Sequence, residues 1–61
     1  MRYVRDDVAY FNDQEVPVEV YEENKSGGAR LVAAVNRSAL HELTLNTESR
    51  RLEVGKRLGT Y

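Results

Sequence analysis

Leu43 to Val54 reads LTLNTESRRLEV, and the fold turns on whether this stretch is a pleated ribbon or a coil. Leu43 and Leu45 flank Thr44, and Leu52 and Val54 flank Glu53. A period of two puts like residues on one face of a strand. A four-residue loop, Thr47 to Arg50, sets Leu45 opposite Leu52 and Leu43 opposite Val54, so four apolar side chains share a face. A helix over Ser49–Leu58 would instead hold Gly55 in its interior, at a cost near 1 kcal/mol. The stretch is therefore read as a hairpin. Its outward residues are Arg51 and Glu53, with Arg57 beyond the point where Lys56 interrupts the alternation.

Upstream, Val16, Val18 and Val20 alternate with Pro17, Glu19 and Tyr21, a second period-two signal of β-branched residues. Pro17 cannot donate to a ladder, which predicts an edge strand or an outward turn of that position. Val8-Ala9-Tyr10-Phe11 is expected to pair with it as a hairpin. A loop of Asn12 to Gln14 would place Val8 opposite Val18 and Tyr10 opposite Val16. A two-residue turn at Asp13-Gln14 would instead align Phe11 with Val16 and Ala9 with Val18. The first register is preferred because it gathers four large apolar side chains on one face.

Between the hairpins, Ala29–Val35 reads ARLVAAV. A short apolar run is a buried strand or a buried helix, and periodicity does not separate them. Gly27-Gly28 before it and Asn36 after it favour a strand. The alternative is an α+β chain with a helix over 30–43, which would align Val32, Val35, Ala39 and Leu43. Glu22 to Gly28 reads as a longer loop, and Ser38-Ala39-Leu40-His41 as a single helical turn. The sum is a mainly β single domain spanning residues 1–61. It has about five strands, two hairpins and a linking strand, curled into a small antiparallel sheet or partly open barrel of SH3-like or OB-like architecture.

Composition sets the limits. Sixty-one residues form one domain at most. A chain this short buries about 60% of its unfolded surface, so its core is marginal. There are no cysteines and one histidine, His41, so neither a disulfide nor a Cys/His zinc site braces the fold. Small domains without such braces often gain stability by oligomerising, and a homodimer is expected. No apolar run reaches membrane-span length, and Met1–Asp7 has no apolar segment of signal-peptide length, so a cytoplasmic location is expected. Net charge is −1, unevenly spread. Residues 1–29 hold three cations against seven carboxylates, net −4; residues 30–61 hold six cations against three carboxylates, net +3.

The chemistry in the sequence is sparse. His41, beside Glu42, has no nucleophile in a recognisable arrangement and reads as a solvated or half-packed residue at a loop edge. Asp6 and Asp7 are adjacent, so on a strand they face opposite ways; they read as a solvated break in the first strand. Lys25-Ser26-Gly27-Gly28 has the letters of a phosphate loop in the wrong order. No enzyme, cofactor or metal is expected.

Two binding readings remain. The first is a small regulatory module acting by protein–protein interaction, through Tyr10, Val18, Tyr21 and the strand edge around Pro17, and self-associating. Its grounds are strand addition at an edge, interface-favoured residue types and the charge polarity. The second is RNA or DNA binding through Arg50, Arg51, Lys56, Arg57 and Tyr61, as cations joined to an aromatic platform. A pI near 5.7 weighs against it, since dedicated nucleic-acid domains are usually basic.

Overall fold

The computed structural model describes residues 1–35 and 39–60, which from Arg2 onward lie in strands and the tight turns between them. The strands are β1 (Arg2–Phe11), β2 (Gln14–Lys25), β3 (Gly28–Val35), β4 (Ala39–Asn46) and β5 (Arg51–Thr60). They form an antiparallel meander that closes into a barrel in the order β1-β2-β3-β4-β5. With an odd number of up-and-down strands, the first and last run the same way. The closing pair is therefore parallel, and among the described residues it consists of Tyr10↔Glu53 alone. Among the described residues no helix is long and apolar enough to cross a membrane.

The β4–β5 hairpin has the register expected of it: Leu45↔Leu52 and Leu43↔Val54, closed by Thr47 to Arg50. Asn46 makes the turn local. Its Oδ1 accepts the Glu48 N–H at 3.0 Å and the Ser49 N–H at 3.4 Å, an Asx turn. Arg50 then takes a left-handed φ of 55° to re-enter the sheet.

The first hairpin differs from both expected registers. Its turn is Asn12-Asp13, with φ of 51° and 62°. Two left-handed residues make the type I′ turn that matches strand twist, and Asn and Asp are the residues after glycine that accept that conformation most readily. Gln14 has no such tolerance and begins β2. The pairs are Phe11↔Gln14, Ala9↔Val16 and Val8↔Pro17. Ala9 is fully buried and Val8 is 48% exposed, so the preferred register had the faces of β1 reversed. Chain-local turn preference outweighed the larger apolar side chain.

Ala29–Val35 lies in β3, the strand its flanking residues favoured, and β4 takes up the chain from Ala39. Val32↔Glu42, Ala33↔His41 and Ala34↔Leu40 pair β3 with β4, which excludes the helix over 30–43. Ala39–His41 belongs to β4 and is no helical turn; Ser38 lies outside the described residues. The expected loop from Glu22 to Gly28 shrinks to Ser26-Gly27, because β2 runs on to Lys25, which pairs with Gly28. Gly28, at φ 127°, supplies the left-handed backbone that closes this turn.

The interior is small. Ala9, Val18, Val20, Ala33, Val35 and Leu43 form the buried cluster, with Val16, Leu31, Leu52 and Val54 against it. Val32 and Ala34 are also buried, on the outer side of β3. Their ladder neighbours there are Tyr21 and Glu42, and Glu19 and Leu40, whose longer side chains flank the small ones. This explains why β3 reads as a continuous apolar run and not as an alternation.

Candidate interaction surface

The barrel closes weakly between β1 and β5, and that seam positions the candidate site. β1 pairs with β2 from Arg2 to Phe11 on one side. On the other side its only described partner is Glu53, at Tyr10. Hairpin geometry decides which backbone groups are free. A two-residue turn closes on a hydrogen-bonded pair, here Phe11↔Gln14, and such pairs recur at every second residue. Ala9, Asp7 and Arg5 therefore direct their N–H and C=O groups to β2. Asp6, Val8 and Tyr10 direct theirs into the seam.

The side chains agree with this account. The Val8 N–H donates to Oδ1 of the preceding residue, Asp7, at 2.8 Å, a bond that only a seam-facing amide has free. Arg5 Nε donates to the other carboxylate oxygen of Asp7 at 3.0 Å. The bond from the Val8 amide, and after it the Arg5 guanidinium, holds the Asp7 carboxyl below its ordinary range. Asp6 and Asp7 thus lie within an unbroken strand, which corrects their reading as a break in it.

Beside the edge lies a cleft of about 720 Å³. Its apolar side consists of Val8, Leu31, Leu45 and Leu52, and Leu45 is 57% exposed. Arg5, Arg50 and Arg51 line it as cations, Asp7 and Glu15 as anions. Arg51 clamps the closed end: its guanidinium lies 4.2 Å from the Tyr10 ring centroid, and its Nε donates to Glu53 at 3.2 Å.

The outer face of β1 and β2 is acidic and aromatic. Asp6 stands opposite Glu19, and Tyr3 opposite Tyr21, with the two rings edge to face at 5.8 Å. The Tyr3 hydroxyl donates to Asp6 at 2.9 Å and the Tyr21 hydroxyl to Glu19 at 3.3 Å. The bond to Asp6 raises the Tyr3 hydroxyl above its ordinary pKa, because phenolate formation would break it beside a carboxylate.

Of the interface residues expected from sequence, Tyr10 sits at the seam and Tyr21 lies half-buried on this acidic face. Val18 is 3% exposed and belongs to the core. β2 as a whole is no edge strand, since it pairs with β1 on one side and with β3 from Val18 to Lys25 on the other; at Pro17 itself only the β1 side is paired among the described residues, as an edge position requires. Pro17 pairs with Val8 just before the β3 ladder begins, where its missing N–H costs that ladder nothing. The nucleic-acid candidates are not gathered together. Arg50 is exposed in a turn, and Arg51 is engaged by Tyr10 and Glu53. Lys56 and Arg57 are exposed five and six residues further along the same strand, roughly 15–20 Å away at strand rise. Tyr61 lies outside the described residues.

His41 is buried at 8% exposure, not solvated at a loop edge. Its ring meets Phe11 edge to face at 5.5 Å, and among the described residues its Nδ1 has no partner. No group of three or more His, Cys, Asp or Glu among the described residues is arranged to hold a metal ion. Sequence reasoning missed Arg5, Asp7 and the cleft leucines. The available signal was Arg5-Asp6-Asp7 within a strand-length segment, since inward and edge charges commonly mark an unpaired edge.

No family model, no curated protein and no solved structure matches the chain.

Proposed function

We propose that this protein is a non-enzymatic binding module acting by protein–protein interaction, and that its binding element is the seam edge of β1. One observation carries the reading: among the described residues, β1 from Arg2 to Ala9 is paired on one side only, beside a cleft with an apolar wall. An extended guest strand hydrogen-bonds to Asp6 and Val8, and its alternate side chains enter the cleft against Leu31, Leu45 and Leu52. A cytoplasmic setting fits a chain without cysteines.

The test is selection of displayed peptides against the folded chain, followed by amide hydrogen exchange on the complex. Bound peptides are expected to slow exchange at Asp6 and Val8. Val8→Pro removes a seam-facing N–H and leaves the β1–β2 ladder intact, so it abolishes binding without unfolding the barrel. Peptides that protect other amides, or that bind Val8→Pro unchanged, refute the proposal.

A further inference from the structure

Which strand the seam accepts follows from charge and symmetry, on the reading that strand capture at β1 is the function. Two β1 edges related by a two-fold axis pair antiparallel, joining the seam-facing residues of one copy to those of the other. From Arg5 to Tyr10, past the bulge, those residues are the even-numbered ones, so every register within that stretch sets some residue against its own copy. Val4 lies at the register shift between Tyr3 and Arg5, and Tyr10 is occupied by Glu53. An axis at Val8 would require Asp6 to pair with the occupied Tyr10 of the other copy. The remaining axes fall on Arg5, Asp6 or Asp7, and each puts like charges face to face, which destabilises a cross-strand pair. The Asp6 axis also sets Arg5 opposite the other copy's Asp7, but those two groups are already joined within each copy at 3.0 Å, so the new pairs add little to offset the facing Asp6 carboxylates.

Asp7 adds a barrier against any strand. Its carboxylate already holds the Val8 N–H at 2.8 Å, the donor that an incoming carbonyl needs, and Arg5 holds it there at 3.0 Å. Asp6 does the opposite. It faces outward against Glu19 and has no ion-pair partner among the described residues, with the Tyr3 hydroxyl bonded to it at 2.9 Å. Two carboxylates directly opposite one another favour a cation set beside them.

We infer that the β1 seam is closed to copies of this chain and takes a foreign antiparallel strand, one that sets a lysine or arginine opposite Asp6 and displaces Asp7 from the Val8 amide with a backbone carbonyl. Matching charge selects the guest, and the Asp7 cap keeps the edge covered until it arrives. Charged residues, a bulge and a side-chain cap on one edge are the devices by which sheet proteins avoid indiscriminate pairing.

The experiment titrates the whole chain with two synthetic peptides, Thr-Val-Lys-Val-Thr and Thr-Val-Glu-Val-Thr, read by amide chemical shifts at Asp6 and Val8. The lysine peptide is expected to bind about five- to tenfold more tightly, and Asp6→Lys to reverse the order. Asp7→Ala, which removes the cap, is expected to tighten both peptides. Equal affinity for the two peptides, or no reversal in Asp6→Lys, overturns the inference and leaves strand capture standing. So does a wild-type dimer by light scattering that protects the β1 amides and dissociates in Val8→Pro. If neither peptide perturbs Asp6 or Val8 at any concentration, and display also yields no strand, both readings fall.

Discussion

Truncating Val20 and Val8 to alanine tests the arrangement of β1 directly, because the two residues are chemically identical and differently placed. Val20 is fully buried, in the cluster with Val18, Ala33 and Leu43, while Val8 is 48% exposed. Val20→Ala removes two methyl groups from the core, worth about 1.6 kcal/mol of transfer free energy at ~0.8 kcal/mol per group. The cavity left behind raises the loss to about 2–3 kcal/mol. A 61-residue domain has a total stability of only roughly 3–9 kcal/mol at typical values per residue. At about 4–8 °C per kcal/mol for so small a chain, Val20→Ala is expected to lower Tm by roughly 10–20 °C. Val8→Ala removes the same groups from a half-exposed site with room to relax. Its expected cost is about 0.5 kcal/mol, or 2–4 °C. Thermal unfolding followed by circular dichroism reads both. Comparable losses from the two variants would refute the Asn12-Asp13 register, since a one-residue slip turns Val8 inward.

Three further outcomes are expected. Asp13→Gly relieves the left-handed backbone of the type I′ turn and gives up only a 4.0 Å contact with Arg51 from a 97% exposed carboxylate. It should stabilise the chain by about 0.5–1 kcal/mol, read by denaturant unfolding, and a loss of stability would contradict the turn assignment. His41→Leu removes a buried Nδ1 that has no described partner and keeps an apolar body against Phe11. It should leave stability unchanged or raise it by about 1 kcal/mol, whereas a marked loss would reveal a bond to that nitrogen. The pH dependence has two limbs. Asp7 has a lowered folded-state pKa, so it binds fewer protons folded than unfolded; its stabilisation is present above the ordinary carboxylate range and is lost as pH falls through the folded value. Tyr3 has a raised one, so its contribution is complete below pH 10.0 and is lost as pH rises through the folded value. Asp7→Asn should flatten the acid limb. Tyr3→Phe should lower the amplitude of the late phenolate transition in a spectrophotometric titration by one tyrosine, and an unchanged late amplitude would exclude the bond to Asp6.

Part of this architecture is written in neighbouring residues. The alternation of Leu43, Leu45, Leu52 and Val54 determined the β4–β5 hairpin and its register, because strand period and loop length act over a dozen residues. The five-strand count was legible for the same local reasons. The faces of β1 were not, since Val8 outranks Ala9 as an apolar residue and only the turn at Asn12-Asp13 reverses them. For 29–35 the flanking glycines and Asn36 point to the strand that forms, but a helix over 30–43 stays open locally, because Ala33 and Ala34 suit either. The choice depends on β2 and β4 lying to either side, contacts far apart in the chain. The candidate surface was the least visible. Tyr10 could be singled out as an interface residue type, but an open edge exists only once five strands curl until the first and last meet. Closure touches at Tyr10 and Glu53 and, among the described residues, leaves the seam side of β1 otherwise unpaired. Local pattern settles which residues pleat; how far a barrel closes depends on twist and stagger summed over every strand.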